Sequence, residues 1–209
     1  MIIAVDGPAA SGKGTIARAL AKHYGLPHLD TGLLYRAVAA RVLAEGLDPT
    51  READVVAMCD FDEALLASPD LRSDHVGKTA SVVSAHPLVR SALLQRQRRF
   101  AQQPGGAVLD GRDIGTVIAP EADAKLFVKA TPTIRARRRH EELRRHGIDV
   151  SLDRVLADIR ARDDRDSRRS EAPLRQAADA AALDTSFLSI EAAVQKAIAL
   201  VDARRASRS

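Results

Sequence analysis

The sequence predicts an α/β domain built on a central parallel sheet. Two observations carry that expectation. Short apolar, β-branched runs alternate with segments of helical periodicity along the chain. The first such run also opens directly into a glycine-rich loop, Gly7–Thr15, that leads into the first helix.

Met1 to Asp6 (MIIAVD) reads as a buried parallel strand, since it is apolar on both faces. Lys13 to Tyr24 places Ile16, Ala17, Leu20 and Ala21 at helical spacing, and Gly25 is its stop. Pro27 to Asp30 reads as a second short strand. Thr31 is expected to cap a helix through Leu34, Val38 and Val42, with Gly46 past its end. Pro49 to Pro69 reads as helical at first and irregular later. Arg72 to Ala85 reads as a helix, and Pro87 starts another that runs to about Gln103. Pro104-Gly105-Gly106 breaks the chain. Ala107 to Asp110 and Ala124 to Ala130 read as strands. Thr131-Pro132 begins a helix to His146, ended by Gly147. Ser151 caps a helix reaching about Arg162. Ala180 to Asp184 is the last strand, and Ser189 caps a C-terminal helix whose tail, Arg204 to Ser209, reads as frayed.

Composition narrows the function classes. Aromatics are only 3% and Trp is absent, so the core is expected to consist of Ala, Val, Leu and Ile. Of 32 basic residues 26 are Arg, and twelve of these lie between Arg135 and Arg169, interleaved with acids. A planar guanidinium fork matches phosphate and carboxylate, where an ammonium is a point charge. A net charge of only +4, with few aromatics for stacking, argues against nucleic acid as a partner. The single cysteine, Cys59, reads as a small core residue, and no Cys/His spacing resembles a zinc site. The apolar run Ile2–Val5 is too short for a secretion signal and no stretch approaches a membrane span, which makes the cytoplasm the expected location.

The loop Gly7-Pro8-Ala9-Ala10-Ser11-Gly12-Lys13-Gly14-Thr15 lies between a strand and a helix, the context that a phosphate-binding loop requires. Its amides and the helix N-terminus face an anion, and Lys13 adds a full positive charge at the β/γ-phosphates of a nucleotide. Gly14 stands directly after the lysine, where Ser or Thr is usual, and Thr15 follows. That order weakens direct binding of Mg²⁺ by a protein hydroxyl and leaves water and phosphate as its main ligands. An Asn-Lys-x-Asp guanine motif and a Leu-Ser-Gly-Gly-type transporter signature are both absent. A kinase remains.

Three further clusters are candidates for the acceptor. In Asp30-Thr31-Gly32-Leu33-Leu34-Tyr35-Arg36, Thr31 and Arg36 lie within a turn and a half of helix, close enough to reach one phosphate. Asp110-Gly111-Arg112-Asp113 follows the strand AVLD directly, and ligands of open parallel sheets bind beyond the carboxyl ends of strands. Asp110 is expected to order Mg²⁺-bound waters there, and Arg112 to hold an acceptor phosphate. Arg162-Asp163-Asp164-Arg165-Asp166-Ser167-Arg168-Arg169 reads, taken alone, as a solvated helix end with alternating charge.

Taken together, these motifs resemble the bacterial cytidylate kinases over nearly the whole chain. The resemblance is carried by GPAASGKGT at 7–15, LDTGLLYR at 29–36, ASVVSAHPLVRSALLQRQR at 80–98, LDGRDIGTV at 109–117 and ARDDRDSRR at 161–169. It implies a P-loop NTPase fold with five parallel strands flanked by helices. A monophosphate-binding part at about 31–104 and a mobile lid at about 138–169 are implied with it. It implies ATP as phosphoryl donor, Mg²⁺, and CMP or dCMP as acceptor, with no membrane partner and a monomer as the default. Arg36, Arg112 and Arg169 match the residues that hold the acceptor phosphate, with Thr31 nearby. Arg162 and Asp166 match those at the sugar, and Ser81, Arg90 and Asp113 those that read the base. Arg138 matches an arginine lying against the adenine. Lys13, Arg112, Arg162 and Arg169 are then the candidate catalytic groups, and Asp110, with Thr15 through water, the candidate metal site.

The base assignment has a physical sense of its own. A carboxylate at Asp113 accepts from the C4 amino group of cytosine, as carboxylates do in DNA grooves, while Arg90 donates to the other edge. Two places depart from the family pattern. Asp60 to Ser73 is brief and lacks a strand–turn–strand, so a β-rich insert is trimmed, and Thr31 stands where serine is frequent. The alternatives are a P-loop kinase for UMP, AMP or a small hydroxyl acceptor, and a nucleotide-binding regulator without transfer. Acceptor-dependent release of ADP separates them.

Overall fold

The computed structural model describes residues 1–207. It divides into two compact units: Met1–Leu29 together with the chain from Ala101 onward, and Asp30–Phe100.

The first unit is the α/β part. Five strands, β1 (Ile2–Asp6), β2 (His28–Asp30), β3 (Ala107–Gly111), β4 (Ala124–Lys129) and β5 (Ala181–Asp184), form one parallel sheet in the order β2-β3-β1-β4-β5. The central strand β1 is apolar in every position up to Asp6 because neighbours pair on both edges and helices cover the faces. Helix α1 (Lys13–Tyr24) buries Ile16, Ala17, Leu20 and Ala21 against the sheet and ends at Gly25, whose φ of 65° allows the left-handed cap. Helix α8 (Ile190–Ala206) adds Ala193, Ala197 and Val201 to the same core. That core contains Ile3, Val5, Val108, Leu126, Val128 and Leu183 and no fully buried aromatic ring, as the composition required. The helix α8 continues through Arg204 and Arg205, which the sequence reading gave to a frayed tail; residues 208 and 209 of that tail lie outside the described residues.

Helices α6 (Pro132–Arg145) and α7 (Leu152–Arg168) complete this unit and pack through Ala136, Leu143, Val155 and Ile159. Thr131 and Ser151 cap them through bonds accepted from Ile134 and Arg154 N–H. Helix α7 runs two turns past Arg162, where the sequence placed its end.

The second unit is helical. It holds α2 (Thr31–Ala44), α3 (Glu52–Val56), α4 (Asp74–Val83) and most of α5 (Pro87–Ala101). The cap of α2 is Asp30, whose carboxylate accepts from Gly32 N–H; Thr31 is the first helical residue and is buried. Between α3 and α4 the chain makes three short 3₁₀ turns at Ala57–Cys59, Glu63–Ala67 and Pro69–Arg72, with no strand, so the stretch read as trimmed is irregular throughout. Cys59, expected in the core, is only half-buried on the first of these turns.

Strand register positions the functional loops. Val5 pairs with Asp110 and Asp6 with Gly111, so the chain leaving β3 emerges beside Gly7. Gly7 itself has φ 154°, and a Cβ there would lie 2.0 Å from the Val128 carbonyl oxygen. Backbone cannot yield to that contact as a side chain would. Gly7→Ala is expected to lower unfolding stability by about 3 kcal/mol or more, read as a shifted urea midpoint at unchanged m-value.

Candidate functional site

The loop Gly7–Gly12 curls back on itself before α1 starts. Ala10, at φ 58°, and Gly12, at φ 90°, both take the left-handed conformation, which turns successive N–H groups to one side as an anion-binding concavity. The carbonyls on the outer side are held by side chains. Thr185 Oγ1 donates to Ser11 O at 2.8 Å, and Arg138 Nη1 reaches the same oxygen at 3.5 Å. Arg138 also donates to Thr185 Oγ1 and to Thr185 O, at 3.0 and 2.6 Å. The residue matched to the adenine therefore braces the loop against the end of β5. Within the loop, Ser11 Oγ is fully buried and makes no hydrogen bond among the described residues.

Two acidic groups flank the loop on β1 and β3. Asp110, buried at the end of β3, has its Oδ1 2.8 Å from His28 Nε2 on β2. Its Oδ2 lies 3.7 Å from the position that a Cβ on Gly14 would occupy, which sets this carboxylate against the first turn of α1. Asp6 accepts from Ile114 N and Gly115 N, both at 2.8 Å, and so fixes a wide π-type turn at Ile114–Ile118. Burial pushes the Asp6 carboxyl up to about 7 against the pull of those two bonds, with Asp113 adding to the rise and Arg112 opposing it. Asp113, buried, begins the turn, and its carbonyl accepts from Val117 N at 2.8 Å.

The acidic–basic run on α7 is not a solvated face. Asp164, Arg165 and Arg168 are exposed, but Asp166 is only 1% exposed and gathers arginines around it. Arg112 Nε donates to its Oδ2 at 2.7 Å, and Arg169 Nη2 donates to Oδ1. Burial favours the neutral acid, yet Arg112, Arg169 and Arg162 outweigh it and hold the carboxyl down to about 2. Arg112, Arg162, Asp166 and Arg169 of the expected set are thus brought together, on the strand end next to β1 and on α7.

In the second unit Ser81, Arg90 and Tyr35 form another group. Arg90, 9% exposed, lies 5.5 Å from the centre of the Tyr35 ring and donates to Ser84 O at 3.2 Å. Ser84 Oγ in turn donates to Ser81 O, and Ser81 is buried on the inner face of α4. Arg36 donates to Leu71 O at 2.6 Å and to Ser73 O at 3.3 Å, at the entry to α4.

Three residues escaped the sequence reading. In the sequence Asp6 reads as the last residue of a strand, although a charged residue ending a buried strand ahead of a glycine loop is itself a signal. His28 lies in a three-residue strand too short to show a pattern. Arg135 is one of four arginines in TIRARRRH, and it alone among them is buried, bound to Asp163 of α7 by two bonds.

A family profile described as cytidylate kinase matches residues 3–203. Curated relatives include the cytidylate kinase of Xanthobacter autotrophicus, 62% identical over 208 residues and covering 100% of both chains. That of Bradyrhizobium sp. is 59% identical over 100% of this chain and 99% of its own. Among solved structures, a gluconokinase from Sinorhizobium meliloti superposes with a TM-score of 0.55 at 17% identity, over 99% of this chain and 94% of that one, a likeness of fold alone.

The Asp166 cluster has a pH signature. A carboxyl lowered from 3.8 to about 2 by folding adds stability that is complete above pH 4 and is lost as pH falls through about 2. That contribution is about 2 kcal/mol. Urea midpoints taken between about pH 5 and pH 3 are expected to fall less steeply for Asp166→Asn than for the unchanged chain.

Proposed function

The chain belongs to the cytidylate kinase family, and on that premise we propose that it transfers the terminal phosphoryl group of ATP to CMP and dCMP. The observation that carries this reading is the guanidinium cluster of Arg112, Arg162 and Arg169 around Asp166, built partly on the strand beside β1, from which the phosphate loop springs. A binder of ATP alone has no use for a second cationic centre.

The roles follow from charge and donor geometry. Gly7 to Thr15 take the ATP polyphosphate through their amides. Lys13 neutralises the transferring group, and Ser11 Oγ, buried without a partner, is satisfied by a phosphate oxygen. Arg112 and Arg169 bind the acceptor phosphate, the role that the family resemblance also gives Thr31 and Arg36, and Arg162 and Asp166 bind its sugar. Asp113, Ser81 and Arg90 read cytosine. Arg138 lies against the adenine while bracing Ser11. Mg²⁺ fits beside this loop: Asp110 is a buried carboxylate set against Gly14, and Thr15 is exposed one residue on, so these two would hold it through water. Among the described residues no group of three or more His, Cys, Asp or Glu is placed to hold a metal ion. When bound, Mg²⁺ supplies neutralisation of charge on the polyphosphate.

Phosphoryl transfer needs in-line placement and cancelled charge more than covalent help. The acceptor phosphate is already anionic, so no general base is needed. The arginines offset the repulsion between two polyanions, and closure of about residues 138–169 excludes water that would otherwise take the phosphoryl group. The enzyme acts as a cytoplasmic monomer in this reading.

A coupled assay of ADP release over CMP, dCMP, UMP, AMP and shikimate tests the proposal. Release is expected with CMP and dCMP, and UMP is expected to be ten- to a hundred-fold poorer (roughly), because its C4 carbonyl faces the Asp113 carboxylate and leaves a buried polar group unpaired. ADP release that ignores the acceptor, or prefers AMP or shikimate, overturns it. Asp113→Asn is expected to raise the KM for CMP well above that for ATP, and equal effects on both would remove Asp113 from base reading.

A further inference from the structure

Arg135 stands in the first turn of α6 with 3% of its surface exposed, so its charge is answered inside the protein. Its donors go to three elements. Nη1 and Nη2 form a fork on Asp163 of α7, at 2.9 and 2.6 Å. Nε donates to Ala130 O at the end of β4, at 2.9 Å. Nη1 also donates to Ala9 O in the phosphate loop, at 3.2 Å. A second contact runs parallel to that bond, since the Ala10 methyl packs against the apolar cluster between α6 and α7.

The position of these partners gives the contact its meaning. Ala9 O belongs to the outer side of the loop, and holding it outward keeps the following amides turned inward. Asp163 lies between Arg162 and Asp166 on α7, so fixing it sets the rotation of the helix that carries them. We infer that Arg135 is a positioning residue that fixes the phosphate loop through Ala9 and the Arg162–Asp166 segment through Asp163, and so serves both substrates without touching either. The acceptor half of this inference rests on the function proposed above; the loop half does not.

Only a planar fork with several donors spans these partners, and a lysine retains the charge but not the span. Arg135→Lys is therefore expected to weaken ATP binding, titrated calorimetrically with ATP alone, by about tenfold and to raise the KM for CMP by a similar factor. Asp163→Asn, which breaks only the α7 arm, is expected to raise the KM for CMP by about tenfold while ATP affinity changes by less than about twofold. A merely structural strut predicts another pattern: both variants lose melting temperature and leave ATP affinity and the KM for CMP unmoved. That pattern overturns the inference, as does an Asp163→Asn effect of equal size on both substrates. If Arg135→Lys does not fold, the split in Asp163→Asn decides alone. If the unchanged protein fails to phosphorylate CMP, the functional reading falls, and the ATP titration of Arg135→Lys still decides the loop arm.

Discussion

Guanidinium groups repel one another, and the carboxylate of Asp166 is what lets three of them share a buried neighbourhood. Without an anion at that point, Arg112, Arg162 and Arg169 would lose more by desolvation and mutual repulsion than packing returns. The rest of the first unit is arranged to deliver that carboxylate. Val155 and Ile159 press one face of α7 onto α6, which fixes the helix rotation, and the same face carries Asp166 inward about two turns later. Parallel pairing of β1 with β3 brings Arg112 to it, one residue beyond Gly111.

The same device appears at the phosphate loop with the partners exchanged. There the groups needing control are backbone carbonyls, and arginines control them. Arg135 takes Ala9 O and Arg138 takes Ser11 O, one helical turn apart on α6. Ala10 in the left-handed region is costly unless its surroundings hold it, whereas Gly12 takes that conformation freely. Arg135 and Arg138 thus act on backbone, each through more than one donor, as a guanidinium can and an ammonium cannot do in one plane.

Much of this was legible from sequence, and the failures share one cause. Strands, the phosphate loop and most caps were readable because their signals are local: β-branched runs, glycines, Ser or Thr before an apolar period. The end of α7 was misread because its inward positions change character. After Val155 and Ile159 the buried face continues through charged residues to Asp166, so apolar periodicity stops while the helix does not. The cap of α2 was assigned to Thr31 because hydroxyl and carboxylate stand side by side, and only geometry selects Asp30. The turn at Ile114–Ile118 carries no readable local pattern, since beside the bonds to the Asp113 carbonyl it is held by Asp6, more than a hundred residues earlier in the chain. Arg135 could not be told from its neighbours, since burial and not residue type distinguishes it. The bonds that matter most to the site are long-range and polar, and neither property leaves a periodic trace.

Asp6 and Asp166 show how far partners decide the state of a buried acid. Both are almost wholly buried aspartates, yet one is pushed up to about 7 and the other down to about 2. Asp6 receives two neutral N–H bonds and sits near a second carboxylate, Asp113, so its charge is only partly compensated. Asp166 faces three guanidinium groups and stays ionised across the neutral range. The charge of the partners, and not the depth of burial, therefore decides which of the two acids is ionised near neutral pH.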